Sequence, residues 1–151
     1  MDREKYMSLA LGLAKEAASA GEVPVGAVVT DESGNIIGRG RNRREERCSA
    51  IHHAEIEAIE EACRAVGSWR LSGCTIYVTL EPCPMCAGAL LNARVPRIVY
   101  GAKEPVTGSC GSVINLFEER YGFKPAIYGG VLAEESAEIM KEFFAELRRE
   151  E

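Results

Sequence analysis

The chain contains two histidines, His52 and His53, side by side. Glu55 follows two positions after the second, and Cys83 and Cys86 stand further along as a C-x-x-C pair. Cysteines three apart at the start of a helix place both sulfurs on one face, where free N–H groups and the helix dipole favour thiolates. Two thiolates and one neutral imidazole supply three zinc ligands. The fourth tetrahedral position stays open, as in a catalytic rather than a structural site. Such a metal acidifies a bound water to a nucleophile near neutral pH. In His53-Ala54-Glu55 the carboxylate lies within reach of that water without replacing it as a ligand. It can take a proton from the water and deliver it to a leaving amine. Two bland arrangements compete. A closed zinc site would recruit Cys110 or His52 as fourth ligand, and a redox pair at Cys83 and Cys86 would leave Glu55 unexplained.

Those groups need elements to hold them. Residues 4–19 carry apolar side chains at Tyr6, Leu9, Leu13 and Ala17, the spacing of an amphipathic helix that ends at Gly21. Residues 23–29 form a short β-branched run, read as a buried strand. Asp31 to Asn35 is turn chemistry, and Ile36-Ile37 opens a returning strand. Residues 39–50, rich in Arg and Glu, read as a loop. Ile56, Ile59, Ala62 and Val66 mark a second helix from Ala54, with Gly67 as its stop. Residues 75–80 are a strand broken by Pro82, 85–92 a helix, and 97–100 the next strand. A short helix is expected around 113–118 and a short strand at 126–128. Ile139, Met140, Phe143, Phe144 and Leu147 give the last helix one apolar face. Strands alternating with helices predict a three-layer α/β domain whose sheet is mostly parallel after the first hairpin.

With 151 residues the chain suits one domain with a sizeable core. Its 46% hydrophobic and 27% charged composition is that of a soluble globular protein. No signal peptide or membrane-spanning run is read, so a cytoplasmic location is expected and the scattered Cys48, Cys63, Cys74 and Cys110 read as small buried thiols. The net charge of −5 argues against broad nucleic-acid binding, although Arg39, Arg41, Arg43, Arg44 and Arg47 form a local basic cluster able to grip phosphates.

Leu80-Glu81-Pro82-Cys83-Pro84-Met85-Cys86, preceded by His53-Ala54-Glu55, matches the H-x-E…P-C-x-x-C pattern of zinc-dependent base deaminases. That frame selects His53, because counting from His52 puts Ala54 where the carboxylate belongs. Further stretches carry the likeness along nearly the whole chain: Glu22 to Val28, Gly40-Arg41-Asn42-Arg43, Trp69-Arg70-Leu71, Gly101-Ala102-Lys103, Thr107-Gly108, Gly111-Ser112 and Glu142-Phe143-Phe144. The chain resembles the bacterial tRNA adenosine deaminases within the cytidine deaminase superfamily.

The resemblance implies one zinc-dependent deaminase domain over residues 1–151. It is an α/β/α sandwich around a central five-stranded mixed sheet, assembled as a homodimer with one Zn²⁺ per subunit. It implies hydrolysis of adenosine to inosine at the wobble position of a tRNA anticodon loop, with attack of hydroxide at C6 and release of ammonia. His53, Cys83 and Cys86 would hold the zinc and Glu55 would shuttle the proton. The Cys83 backbone would lie beside the zinc water, Asn42 would contact the flipped base, and Val23 would line the pocket. Two departures stand beside the substrate. Ser49-Ala50-Ile51-His52 replaces a common Asp-Pro-Thr-Ala, making His52 a candidate substrate contact or a helix N-terminal packing residue. Glu104 stands where an aspartate commonly touches the substrate. The chain also ends without the extended basic tail of some members. These features and the acidic charge favour an alternative, a deaminase of free guanine, cytosine or adenine bases or nucleosides. A zinc subunit that only presents RNA would usually lack Glu55. Trp69 reads as a core or interface anchor, and residues 108–112 as a tight loop near the dimer interface. Phe143 and Phe144 read as core, although the resemblance implies that their counterparts lie on the helix near bound RNA.

Overall fold

The helical spacing at the start of the chain folds as α1, Arg3–Ser19, in the computed structural model, which describes residues 2–150. Asp2 caps it by accepting the Lys5 N–H at 3.1 Å. A hairpin follows, β1 (Gly26–Thr30) and β2 (Ile36–Arg41). Next come α2 (Ala54–Val66), β3 (Thr75–Leu80), α3 (Pro84–Ala93) and β4 (Arg97–Ala102). A 3-10 turn at Leu116–Glu118, β5 (Ala126–Tyr128) and α4 (Ala133–Glu150) complete the order. The five strands form one mixed sheet in the order β2-β1-β3-β4-β5. β1 is antiparallel to both neighbours, while β3, β4 and β5 run parallel, as the alternation of strands and helices predicts.

Strand alternation sorts the core into two faces. Val28, Tyr77 and Val99 sit in one cross-strand row and pack on Tyr6, Met7 and Ala10 of α1. Ala27, Val29, Ile76, Val78 and Ile98 point the other way, onto Ala54, Ala58 and Ala62 of α2 and Ala87 and Leu90 of α3. α4 packs beside α1 and against β4. The result is the expected three-layer sandwich.

Four boundaries differ from expectation by more than one residue, among them the end of β4, which runs on to Ala102 instead of stopping at 100. The first strand begins at Gly26, because the Val25 N–H turns back to the Val23 carbonyl at 2.9 Å and takes both valines out of the sheet. Arg39 to Arg41 belong to β2 rather than to a loop. The Gly38-Arg39-Gly40-Arg41 alternation has a period of two, and its glycines face α2: a Cβ on Gly40 would lie 2.1 Å from the Ala54 carbonyl oxygen. Only Leu116–Glu118 of the expected 113–118 helix forms, with the Asn115 side chain accepting the Phe117 N–H at 3.1 Å.

Candidate active site

The close seating of α2 on β2 fixes the start of α2, and the end of β3 leads directly into α3. His53 is the N-cap residue of α2 and Cys83 the N-cap residue of α3, both with extended backbone. Pro84 follows Cys83 at the first helical position, where a missing N–H costs nothing. Neither cap residue uses its side chain to cap its helix, so the imidazole and the thiol are free to face each other. The His53 Nδ1 lies 3.7 Å from Cys83 Sγ and 3.5 Å from Cys86 Sγ. One ligand atom from each of the three residues lies within 4.8 Å of the others, a group able to hold a metal ion. Among the described residues neither Cys110 nor His52 joins this group, so the closed four-ligand arrangement does not form.

Electrostatics separate the roles. The Cys83 thiol is pulled down to about 4, first by the hydrogen bond from Cys86 and then, against burial, by His53. The same hydrogen bond, with burial, pushes Cys86 up. The Cys83 contact likewise raises His53 against burial. Glu55, in the first turn of α2 and 4% exposed, is pushed up to about 7 by burial. A carboxyl poised there can both give and accept a proton near neutral pH.

His53, Glu55 and Cys83 line the floor of a cavity of about 290 Å³, while Cys86 is fully buried and not part of its lining. Val23, Asn42 and Glu104, all named from the sequence, line it as well. Asn42 is buried, and its side-chain oxygen accepts the Arg44 N–H at 3.1 Å. Its amide NH₂ has no partner among the described residues. Glu104 donates its N–H to Glu81, and its own carboxylate accepts the Val106 N–H at 2.9 Å.

His52 is placed outside the cavity lining. Its Nε2 lies 2.7 Å from Glu57 Oε2, which also accepts from Arg43 Nε at 2.7 Å. The ring ties the 43–52 segment to α2, which matches the packing alternative for this residue.

Sequence reasoning missed Thr107 and Met140 as cavity residues, while Arg44 of the expected phosphate-gripping cluster does line the cavity. Phe144, expected in the core, lines the cavity instead, because α4 presents this side of its apolar face to the cleft. Trp69 is 62% exposed, so it is not a core residue. It borders a groove between α2 and α3 with Ile56, Ile59 and Ala89. Cys74 and Cys110 are buried as expected, but Cys48 is exposed on the 43–52 segment. The basic cluster is partly neutralised: Glu46 pairs with Arg41 and Arg43, each at 2.9 Å.

The MafB19-like deaminase family model matches residues 1–148. The tRNA-specific adenosine deaminase of Bacillus subtilis is 49% identical over 147 residues, covering 97% of this chain and 91% of the relative. The tRNA(Ile)-lysidine synthase of Deinococcus deserti is 51% identical over 143 residues, 95% of this chain, yet the chain spans only 27% of that longer protein. A solved structure from a study of A-to-I editing by tRNA:A34 deaminases at the wobble position superposes with a TM-score of 0.85. It shares 43% identity and covers 89% of this chain and 98% of that one.

Proposed function

The chain belongs to the MafB19-like deaminase family, and from that premise we propose that it hydrolyses adenosine to inosine at the wobble position of a tRNA anticodon. The observation that carries this reading is the His53, Cys83 and Cys86 ligand group set beside the buried, near-neutral Glu55, with His53, Cys83 and Glu55 on one cavity floor. The likeness to a tRNA-specific adenosine deaminase over nearly the whole of both chains supports the tRNA substrate.

Two cysteine sulfurs and one imidazole nitrogen, already gathered and with one thiol acidified, fit a zinc ion better than a hard-oxygen metal. When bound, zinc supplies the Lewis acidity that makes water a nucleophile near neutral pH. Glu55 moves the protons: it takes one as water adds to C6 and returns one to the departing amine, so adenosine and water give inosine and ammonia. The Cys83 backbone N–H, at the positive end of α3, is assigned to the reacting oxygen. Val23 packs on the base and the free NH₂ of Asn42 donates to it, with Glu104 beside the sugar. His52 acts on substrate only through Glu57 and the 43–52 segment. We take the chain as one deaminase domain working in the cytoplasm as a homodimer, with Trp69 as an interface anchor. Among the described residues no helix is long and apolar enough to cross a membrane.

The test is inosine formation in an anticodon stem-loop carrying a wobble adenosine, beside a panel of free bases and nucleosides. Inosine in the stem-loop is the expected result. Ammonia released only from the free compounds would transfer the same chemistry to the alternative substrate class.

A further inference from the structure

Two carboxylates are buried apart from the metal group and from the proton chemistry: Glu22 at 1% and Glu81 at 2% exposure. Neither pairs with a cationic side chain among the described residues. Both instead grip backbone N–H groups of a distant loop. Glu22 accepts from the Glu45 N–H at 3.0 Å and the Glu46 N–H at 2.7 Å. Glu81 accepts from the Glu104 N–H at 3.1 Å and from the Cys110 and Ser112 N–H groups, each at 3.0 Å, and also from the Ser112 hydroxyl.

The placement of both residues is the same in kind. Glu22 immediately precedes Val23, and Glu81 precedes Pro82 and Cys83, so each is anchored in the cavity floor. The loop held by Glu22 carries Asn42 and Arg44, and the loop held by Glu81 carries Glu104 and Thr107, all cavity residues. The second loop wraps its carboxylate closely: a Cβ on Gly108 would lie 2.5 Å from the Glu81 carboxyl carbon. A buried carboxylate is costly unless its lone pairs are filled. Hydrogen bonds to a charged acceptor are about twice as strong as neutral ones, so the loops that fill those lone pairs are held firmly. An apolar residue of similar size would pack the same space but leave the loop amides unheld.

We propose that Glu22 and Glu81 are paired positioning residues that fix the two rim loops over the cavity and so set substrate affinity, leaving the metal and proton chemistry unchanged. This rests on the deaminase reading above.

The experiment compares Glu22→Gln and Glu81→Gln with the zinc-loaded wild type by zinc content, steady-state kinetics on the wobble stem-loop and amide hydrogen exchange. In each variant zinc content and kcat should stay near wild type while KM rises about tenfold, the fold-change expected when a loosened loop loses about one hydrogen bond to the substrate. Exchange should accelerate only at 43–48 in Glu22→Gln and only at 103–112 in Glu81→Gln. Should a Gln variant not fold, Glu22→Asp and Ser112→Ala weaken the same clamps more gently and should move KM in the same direction. Loops that stay protected, loops that loosen with KM unchanged, or a parallel loss of zinc and kcat would each overturn the proposal. If the wild type forms no inosine, the tRNA reading alone fails. The clamps are then judged by the same exchange pattern and by KM for the free compound that the wild type deaminates, and loss of that pattern overturns them.

Discussion

Glu55 and Glu57 stand two positions apart on α2 and are held in opposite ways. Burial pushes Glu55 up to about 7, where it can exchange protons. Burial would raise Glu57 too, but hydrogen bonds from His52, Arg43 and the Arg41 N–H overcome it and hold Glu57 below the usual carboxylate range. A depressed folded pKa stabilises the fold above the unfolded value, and that stability is lost as pH falls through the lower folded value. Glu57→Gln should therefore lower stability at neutral pH and flatten its fall in the acid range below about pH 4.5, the ordinary glutamate value. Chemical denaturation across that range checks it, and an unchanged acid slope would contradict the stated role of Glu57. Asn42 offers an unpaired NH₂ at the cavity. Asn42→Ala should raise KM about three- to tenfold with kcat and zinc content near wild type, the size of one hydrogen bond to a neutral group. Steady-state kinetics with metal analysis reads both.

At the scale of elements, the site depends on how closely α2 lies on β2. Gly40→Ala would set a Cβ 2.1 Å from the Ala54 carbonyl, next to the candidate metal ligand His53. The helix must then shift, at a cost of about 1–3 kcal/mol. Thermal unfolding should show that loss together with weakened zinc retention, and a fully stable variant with normal zinc would contradict the close seating.

The legible and illegible parts of the sequence divide along the same line. His53, Glu55, Cys83 and Cys86 were readable because their spacing is local and each pair opens one helix. The strands at 75–80 and 97–100 were readable from their β-branched and aromatic runs, while the last two residues of β4, Gly101 and Ala102, carried no such signal. β2 was mistaken for loop beyond Gly38 because its buried face is glycine, which carries no hydrophobic signal. Thr107, Met140 and Phe144 reach the cavity only through tertiary packing, and no spacing announces that. The Glu57 partner of His52 lies one helical turn beyond His53, so the alternative to a substrate contact was present in the sequence and became decisive only with the geometry.

For the whole molecule, metal and fold should be coupled, because the three candidate ligand residues join α2 to α3 across the end of the sheet. Removing zinc with a chelator should lower the unfolding temperature, and readdition should restore it. Trp69→Ala should shift the protein from dimer toward monomer in sedimentation analysis, while a wild-type monomer would remove the interface reading of the exposed α2–α3 groove. The central claim is that one cavity holds zinc through His53, Cys83 and Cys86 and uses Glu55 only for proton transfer. Zinc content and turnover measured together on purified Glu55→Ala test it most directly. The predicted result is one zinc per chain with deamination reduced at least about a hundredfold, the usual contribution of a general acid–base. Full turnover in the zinc-loaded variant, or loss of zinc along with activity, would contradict it.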